Sequence, residues 1–513
     1  GGFEQPASRE QTLRSFYLVL LATMAVLLMT RYFFTQKWLK LKVWPFDLLF
    51  VLFVVGLLLH HAGWATSEVF QDKTWMHLFI FYLFLRELSG LKLNLNLNPA
   101  QMFLAAFLTI ILLGTLLLML PNATHNGISL VDALFTSTSA VCVTGLIVVD
   151  TGSFFTLTGQ VILLVLIQVG GIGIMTFTSY FSYFFKGRVS YESQLILRDV
   201  GTTSKIGEVL STLKKIILFT FAIEAVGALF IFASLDASVF PETANRMFFS
   251  VFHSVSGFCN AGFSTLSESL YAPAFRFNYS LHLIIAFLFI LGGIGFPIVF
   301  NFFLYLKYAV MNLFLRRKKI YMHWVLSINT RIVVATTLVL LVVGTAGFYI
   351  LEYNNTLAEH SGWGKMVTAF FGAATPRTAG FNTVDTSALA STTILFVMFL
   401  MWVGASPSST GGGIKTSAFA VGVLNFFSIS KGMDRIETFR REISDMTVRR
   451  AFAIIVLSLL VVGASILLLS FFEPGKELRE VAFESFSAFS TVGLSMGITE
   501  ELTVAGKLVL VVT

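Results

Sequence analysis

The sequence predicts an all-α polytopic membrane protein built from four repeats, each with a membrane helix, a re-entrant loop and a second membrane helix. Composition, long apolar runs and a regular internal period predict this fold. Of the 513 residues, 56% are hydrophobic and 12% are charged, whereas a soluble domain carries about 25% charged residues. Soluble and disordered classes are therefore excluded. The two cysteines, Cys142 and Cys259, are too few for a disulfide framework or a zinc site.

The apolar runs give the membrane spans in chain order, because a spanning helix needs about 20 apolar residues. They lie at 13–34, 46–62, 100–120, 159–184, 214–234, 280–306, 331–351, 391–427 and 451–472. A weaker run lies at 75–89. The N-terminal extension, residues 1–97, thus contains two or three membrane helices. With three, the N-terminus is outside; with two, the weaker run lies along the membrane interface.

The distribution of lysine and arginine predicts the orientation of the chain in the membrane. Eighteen of these residues fall in the segments 183–216, 305–331 and 425–450. Six fall in the segments 121–158, 235–280, 352–390 and 473–502. Cytoplasmic loops carry an excess of positive charge, so we expect the first group inside the cell and the second outside. This bias also explains the net charge of +7 without a nucleic-acid partner.

The four outer segments align with one another without gaps. They read FTSTSAVCVTGL from Phe135, FHSVSGFCNAGF from Phe252, FFGAATPRTAGF from Phe370 and FESFSAFSTVGL from Phe483. The shared glycines are separated by 117, 118 and 113 residues, at Gly145, Gly262, Gly380 and Gly493. So regular a period indicates a duplicated unit, and predicts repeats at 98–212, 213–329, 330–447 and 448–513. The last apolar run, 504–513, is short, so we expect a truncated second helix in repeat 4.

Each outer segment is too short to cross and return as two helices, and we expect a half-helix followed by an extended turn. The turns are Val143-Thr144-Gly145, Asn260-Ala261-Gly262, Thr378-Ala379-Gly380 and Thr491-Val492-Gly493. Irregular backbone at membrane depth is tolerated where it is buried or lines a water-filled path. Rings of backbone carbonyls can replace the hydration shell of a cation, and the tripeptides contain no carboxylate. The alternative is four ordinary turns, which the common period disfavours.

These motifs resemble the Trk/Ktr/HKT superfamily of potassium transporters, most closely the bacterial Ktr membrane subunit and next TrkH. The resemblance covers about residues 98–513, and includes GGIG at 170–173 and 292–295 and TPRTAGF at 375–381. It implies one pore per chain, with the four Gly turns as a selectivity filter and potassium bound only there. In the family, glycine at all four filter positions accompanies potassium selectivity, whereas serine at the first accompanies sodium transport in some plant members; this chain has Gly145 at that position.

The resemblance also implies a homodimer and a cytosolic, nucleotide-binding regulatory subunit of the RCK type. The N-terminal extension is a departure from Ktr subunits, which lack it, whereas TrkH-like members carry one. The family also has an arginine in the second helix of repeat 4, which cannot be assigned here because that helix is expected to be truncated.

The second helix of repeat 3 is interrupted by GASPSSTGGGIKT at 404–416. In a regular helix Pro costs about 3 kcal/mol and each Gly about 1 kcal/mol, so we expect a break. A flexible loop that gates the path from the cytoplasmic side agrees with the resemblance; an ordinary kink is the alternative. The expected gate residues are Gly404, Pro407, Gly411, Gly412, Gly413 and Lys415. Lys415 is expected to tether the loop to a carboxylate or to reach cytoplasmic water.

Two charged residues stand out against their counterparts in the other repeats. Arg377, three residues before its glycine, aligns with Cys142, Cys259 and Ser490. Glu484, nine before its glycine, aligns with Thr136, His253 and Phe371. We expect the two to pair behind the filter, because a cation facing the path would repel potassium. In the alternative, Arg377 reaches the outer surface or caps backbone carbonyls alone.

The sequence therefore predicts a potassium uptake protein of the cell membrane, and not an enzyme. We expect the chain to hold no cofactor, with potassium as the transported ion, and to lie in the lipid bilayer. The basic loops 186–215, 307–319 and 431–450 are candidate docking surfaces, although membrane topology alone also explains their charge. The alternative function is a secondary cation transporter for sodium, or for sodium and potassium. Inverted repeats are typical of such transporters, whereas all four repeats here share one orientation.

Overall fold

A computed structural model describes residues 99–186, 203–236, 240, 242–314, 328–407, 409–433, 435–438 and 441–513. The predicted N-terminal membrane helices lie outside these residues, so their number stays a prediction. Much of the basic loops at 186–215 and 307–319 also lies outside them. The described residues are predominantly helical, which confirms the predicted fold class.

The helices follow the same order in every repeat. Repeat 1 contains α1 (Pro99–Leu118), α2 (Leu130–Val141), α3 (Thr151–Phe154) and α4 (Leu157–Lys186). Repeat 2 contains most of α5 (Thr203–Ser234), which crosses the predicted boundary after residue 212, and then α6 (Thr243–Cys259), α7 (Tyr279–Ile294) and α8 (Phe296–Phe314). Repeat 3 contains α9 (Ile328–Glu352), α10 (Gly362–Ala374), α11 (Ser391–Trp402), α12 (Thr416–Ser430) and the antiparallel strands β1 (Glu437–Thr438) and β2 (Arg441–Glu442). Repeat 4 contains α13 (Asp445–Phe472), α14 (Leu478–Phe489) and α15 (Val504–Val512).

The long helices present apolar faces that suit lipid. Five described helices are long and apolar enough to cross a membrane, and a sixth span results if α7 and α8 are counted together. On α1 one exposed row repeats every four residues, at Leu104, Leu108, Leu112 and Leu116. Soluble monomers rarely expose contiguous apolar patches of this kind. Such a surface is stable where lipid replaces water.

In each repeat a short helix lies between the first and the second membrane helix. These four short helices are α2, α6, α10 and α14. They have 12, 17, 13 and 12 residues. At 1.5 Å per residue they reach about 18–26 Å, less than the hydrocarbon core of about 30 Å. Each ends at or just before its Gly turn, as the sequence predicts for a half-helix.

The sequence predicts one membrane span at 280–306, but the structure has two helices there, separated by a sharp bend. The axes of α7 and α8 differ by 109°, and the bend falls at Gly295, whose φ is +90°. Glycine adopts this φ without the steric cost of a side chain. Pro297 follows immediately, and it has no N–H with which to continue the helix. The predicted break in repeat 3 is present: α11 ends at Trp402 and α12 begins at Thr416.

Carboxylates at the ends of two first helices anchor the start of the second helices. Glu352 Oε1 accepts a hydrogen bond from Ala390 N at 3.0 Å, directly before α11. Glu473 Oε1 accepts from Thr503 N at 2.7 Å, directly before α15. Negative charge is favourable at a helix N-terminus, where N–H groups lack partners. Lys507 on α15 also pairs with Asp132 on α2 at 2.7 Å, which joins repeat 4 to repeat 1.

Candidate ion-binding site

The four Gly turns share one backbone conformation. The first residue of each tripeptide has φ between 49° and 74°, at Val143, Asn260, Thr378 and Thr491. The four glycines have φ between 70° and 90°. A β-branched residue with positive φ is a genuine outlier, and such strain persists only where the surroundings impose it. Its recurrence at the same place in all four repeats indicates one imposed geometry.

The four turns also contact one another in a closed ring. Each glycine lies against the carbonyl oxygen of the middle residue of the next turn, in the pairs Gly145 with Ala261, Gly262 with Ala379, Gly380 with Val492 and Gly493 with Thr144. A Cβ added at Gly262 or Gly380 would lie 3.0 or 2.7 Å from these oxygens. At Gly145 or Gly493 it would overlap them. Only backbone fits at these positions, and carbonyl groups from all four repeats come together there.

Backbone groups are the cation ligands that this ring offers. Among the residues that the structure describes, no group of three or more His, Cys, Asp and Glu side chains could hold a metal ion. His253, which precedes the second turn, is fully buried and hydrogen bonded to Phe249 O and Ser264 Oγ at 2.9 Å each. It therefore serves the packing of α6.

Hydroxyl groups on or directly after the short helices hold the turns in place, and they are not among the site residues predicted from the sequence. Ser139 Oγ accepts from Gly145 N at 3.0 Å and donates to Leu146 O at 2.7 Å. Three further hydroxyls make one of these two bonds: Ser256 with Phe263 O, Thr375 with Phe381 O and Ser487 with Gly493 N. A column of serines six residues before the glycine marks three of the four in the sequence.

Repeat 3 departs from the gapless alignment by one residue. There the hydroxyl is Thr375, five residues before Gly380, and the fully buried ring is Phe371, nine residues before it. In repeat 2 the corresponding spacings are six and ten, from Ser256 and Phe252. In repeat 3 the hydroxyl and the buried aromatic ring are therefore each one residue closer to the glycine than in repeat 2.

Replacing Ser139 tests the role of these hydroxyls. Ser139→Ala leaves Gly145 N and Leu146 O without their partner, and an unpaired buried group costs about 1–3 kcal/mol. We expect the selectivity for potassium over sodium to fall several-fold in a liposome flux assay. Thr138→Ala is the matched control, because Thr138 Oγ1 donates only to Leu134 O within α2. Equal selectivity in the two variants would contradict the role of Ser139.

The broken segment of repeat 3, residues 404–416, lies against turns 3 and 4; we call it the gate loop. Gly412 N donates to Thr491 Oγ1 at 2.8 Å. A Cβ added at Gly411 would overlap Thr378 Oγ1. The two ends of the loop pair with each other, because Thr416 N donates to Ala405 O at 3.2 Å. The loop is therefore a narrow hairpin whose glycines let it approach the first residues of two turns.

The gate loop also contacts repeat 2 at the bend between α7 and α8. Ser406 N donates to Gly293 O at 3.0 Å, and Ser406 Oγ donates to Ile294 O. The break at Gly295 leaves these carbonyls without the helical partners they would otherwise have. Ser406 supplies the missing donors, so the bend and the gate loop stabilise each other.

Lys415 does not tether the gate loop to a carboxylate among the described residues, and its access to cytoplasmic water stays a prediction. Its Nζ donates to Gly411 O within the gate loop, and it makes no ion pair with the described residues. The side chain closes the hairpin on itself, because both its anchor and its acceptor lie in the same short loop.

The expected pair between Arg377 and Glu484 is wrong. Glu484 accepts hydrogen bonds from Met496 N at 3.1 Å and Thr499 Oγ1 at 2.9 Å, and also from Ser495 Oγ. These donors belong to the segment after turn 4, so Glu484 is satisfied within its own repeat. Arg377 instead points toward the gate loop, where Nη2 lies 3.5 Å from Gly404 O.

A double-mutant cycle checks this correction. Because the side chains share no contact, the free-energy effects of Arg377→Gln and Glu484→Gln on unfolding should add within about 0.5 kcal/mol. Thermal or denaturant unfolding of the purified single and double variants gives the comparison. A coupling energy above about 1 kcal/mol would restore the pair.

The chain is similar to known cation transport proteins. The TrkH family model, described as a cation transport protein, matches residues 73–513. The Ktr system potassium uptake protein B of Bacillus subtilis is 37% identical, over 81% of this chain and 89% of that protein. The potassium/sodium uptake protein NtpJ of Enterococcus hirae is 34% identical, over 82% of this chain and 91% of that protein.

One solved structure shares the fold. The crystal structure of the potassium transporter TrkH from Vibrio parahaemolyticus superposes with a TM-score of 0.62. The match covers 97% of this chain and 94% of the other, at 16% sequence identity. At this identity the likeness concerns the fold alone.

Proposed function

The chain belongs to the TrkH family of cation transport proteins, and on this premise we propose that its four Gly turns form a potassium selectivity filter. The function class is potassium uptake, which fits the names of the relatives that match most of the chain. The contact of each glycine with a carbonyl of the next turn carries this proposal. A ring of this kind can offer carbonyl oxygens from all four repeats to one dehydrated ion.

The short helices add a favourable electrostatic field to the proposed filter. The C-terminus of a helix carries roughly half a negative charge, and α2, α6, α10 and α14 all end within four residues of the start of their turns. Four such ends favour a cation without a carboxylate ligand. Potassium would bind at the carbonyls of the twelve residues from Val143–Gly145, Asn260–Gly262, Thr378–Gly380 and Thr491–Gly493.

The gate loop is proposed to block the path until it moves. Its contact with the turns is Gly412 N to Thr491 Oγ1, and Ser406 holds its other side to α7. A typical hydrogen bond contributes only about 0.5–1.5 kcal/mol net. A loop held by few such bonds can move without unfolding the surrounding helices.

The quaternary arrangement is proposed from the family resemblance and from charge. We expect a homodimer in the cell membrane with the basic loops in the cytoplasm and the Gly turns reached from outside. A cytosolic nucleotide-binding subunit would dock on the basic loops 186–215, 307–319 and 431–450. Acidic surface on that subunit would complement them.

A second candidate function is transport in which sodium takes part. The relative from Enterococcus hirae is named a potassium/sodium uptake protein, which motivates this alternative. A sodium-coupled transporter would need a sodium gradient for potassium entry, whereas a pore would not.

Complementation of a bacterium that lacks its own potassium uptake systems tests the proposed function. Cells expressing this chain together with a regulatory subunit should grow at low potassium concentrations, and cells with the empty vector should not. Failure to grow, with the protein present in the membrane, would contradict potassium uptake. Expression without the regulator tests the proposed partner separately.

A further inference from the structure

We propose that a small cavity beside turn 3 binds a halide-sized anion that pairs with Arg377. The cavity lies where α7, α9 and the gate loop meet, and offers about 20 Å³ for the centre of a water-sized sphere. About 10–15 Å³ of such space holds one water molecule. The site therefore has room for a single small particle. This inference goes beyond the proposed function, because it concerns binding and not transport.

The charge of Arg377 has no adequate partner among the described residues. The residue is only 9% exposed, and its one hydrogen bond, to Gly404 O, is 3.5 Å long. Good N–H···O bonds measure about 2.7–3.2 Å. Its Nε has no partner, and the nearest expected carboxylate, Glu484, is engaged elsewhere. A buried charge without a partner is strongly destabilising, so the guanidinium requires a counter-charge.

The cavity holds a second unsatisfied donor. Thr337 on α9 lines it, is 6% exposed and has no hydrogen-bond partner for Oγ1. Apolar side chains make up much of the remaining lining, among them Phe289, Ile290 and Leu341. Arg377 and Thr337 thus present N–H and O–H groups to a space with otherwise apolar side chains.

A monatomic anion fits this chemistry better than water or a larger anion. A buried water typically makes about three hydrogen bonds, and it would leave the charge of Arg377 uncompensated. An acetate, phosphate or sulfate ion exceeds the available space. A halide accepts from both donors and neutralises the guanidinium, and these interactions offset the hydration that the ion loses on entering the site. Chloride is the halide that cells supply.

The position of the cavity indicates what the anion would stabilise. Gly293 and Ile294, at the end of α7, and Ala405, in the gate loop, also line it. A bound anion would therefore brace turn 3, the bend and the gate loop against one another.

Thermal unfolding of the full purified chain tests the site, with bromide as the probe in gluconate buffer. A ligand that binds only the folded state raises the unfolding temperature in a saturable manner. We expect a rise of several degrees for the unmodified chain and none for Arg377→Gln. Thr337→Val should weaken the apparent bromide affinity about tenfold. Thr345→Val on the same helix is the matched control, because Thr345 Oγ1 donates only to Leu341 O, and it should retain the full response.

Bromide located by anomalous scattering in crystals should lie between Arg377 Nε and Thr337 Oγ1. An equal response of Thr337→Val and Thr345→Val would overturn the proposal, even if Arg377→Gln fails to fold. A water without an anomalous signal in the cavity would overturn it as well. Neither result depends on transport, so the proposed function is tested separately.

Discussion

Gly145→Ser should lower the preference for potassium over sodium by about tenfold or more, which corresponds to about 1.4 kcal/mol. The Cβ of the new residue would overlap Ala261 O of the neighbouring turn. Gly145 also has φ +90°, a conformation that residues with side chains rarely adopt. Turn 1 must therefore move, and its carbonyls with it. The ratio of potassium to sodium flux in liposomes measures the effect.

Gly127→Ser is the matched control for this substitution. Gly127 also has a positive φ, of 80°, but an added Cβ would meet nothing within 4 Å. The control should retain the selectivity of the unmodified chain, since only backbone strain changes there. If Gly145→Ser behaves like Gly127→Ser, Gly145 does not belong to the filter.

Deleting Gly411 to Gly413 should raise potassium flux by about tenfold and weaken its dependence on the regulatory subunit. The deletion removes the bond from Gly412 N to Thr491 Oγ1 and the contact of Gly411 with Thr378. The shortened loop can no longer reach turns 3 and 4. A shift of about 1.4 kcal/mol toward the open state corresponds to a tenfold change in its population. Flux with and without the regulator gives the measurement.

Thr491→Val provides a milder version of the same test, because it removes only the acceptor of the Gly412 N–H bond. We expect a smaller rise in flux with little change in selectivity. Deletion of Gly475, in the turn after α13 where an added Cβ would meet nothing within 4 Å, controls for shortening a glycine turn outside the basic loops. Unchanged or abolished flux in the well-folded Gly411–Gly413 deletion would argue against a gate.

The repeat and its turns could be predicted from the sequence, because the glycine of every turn kept its place when the unit was duplicated. Gly145, Gly262, Gly380 and Gly493 each require a conformation that glycine tolerates and a space that a Cβ would fill. Both constraints act at every turn and so leave a visible period. The break at 404–416 was also predictable, because Pro407 and three consecutive glycines oppose a helix locally.

Contacts between repeats could not be predicted in the same way. The bend at Gly295 depends on Ser406, which lies 111 residues later in the chain. Ser406 donates hydrogen bonds to the carbonyls of Gly293 and Ile294. The Arg377–Glu484 pairing failed because charge complementarity gives no information on direction, and Glu484 found donors within its own repeat. The shift of Thr375 and Phe371 by one residue is likewise invisible in a gapless alignment.

A permeability measurement on the purified chain in liposomes tests directly whether four Gly turns in one chain form a potassium-selective pore. With potassium on one side and sodium on the other, the reversal potential gives the permeability ratio. For such a pore we expect a potential near that of a potassium-selective membrane, with passive potassium flux in the absence of sodium. Potassium entry against its own gradient, driven by sodium, would contradict the pore and establish a coupled transporter instead.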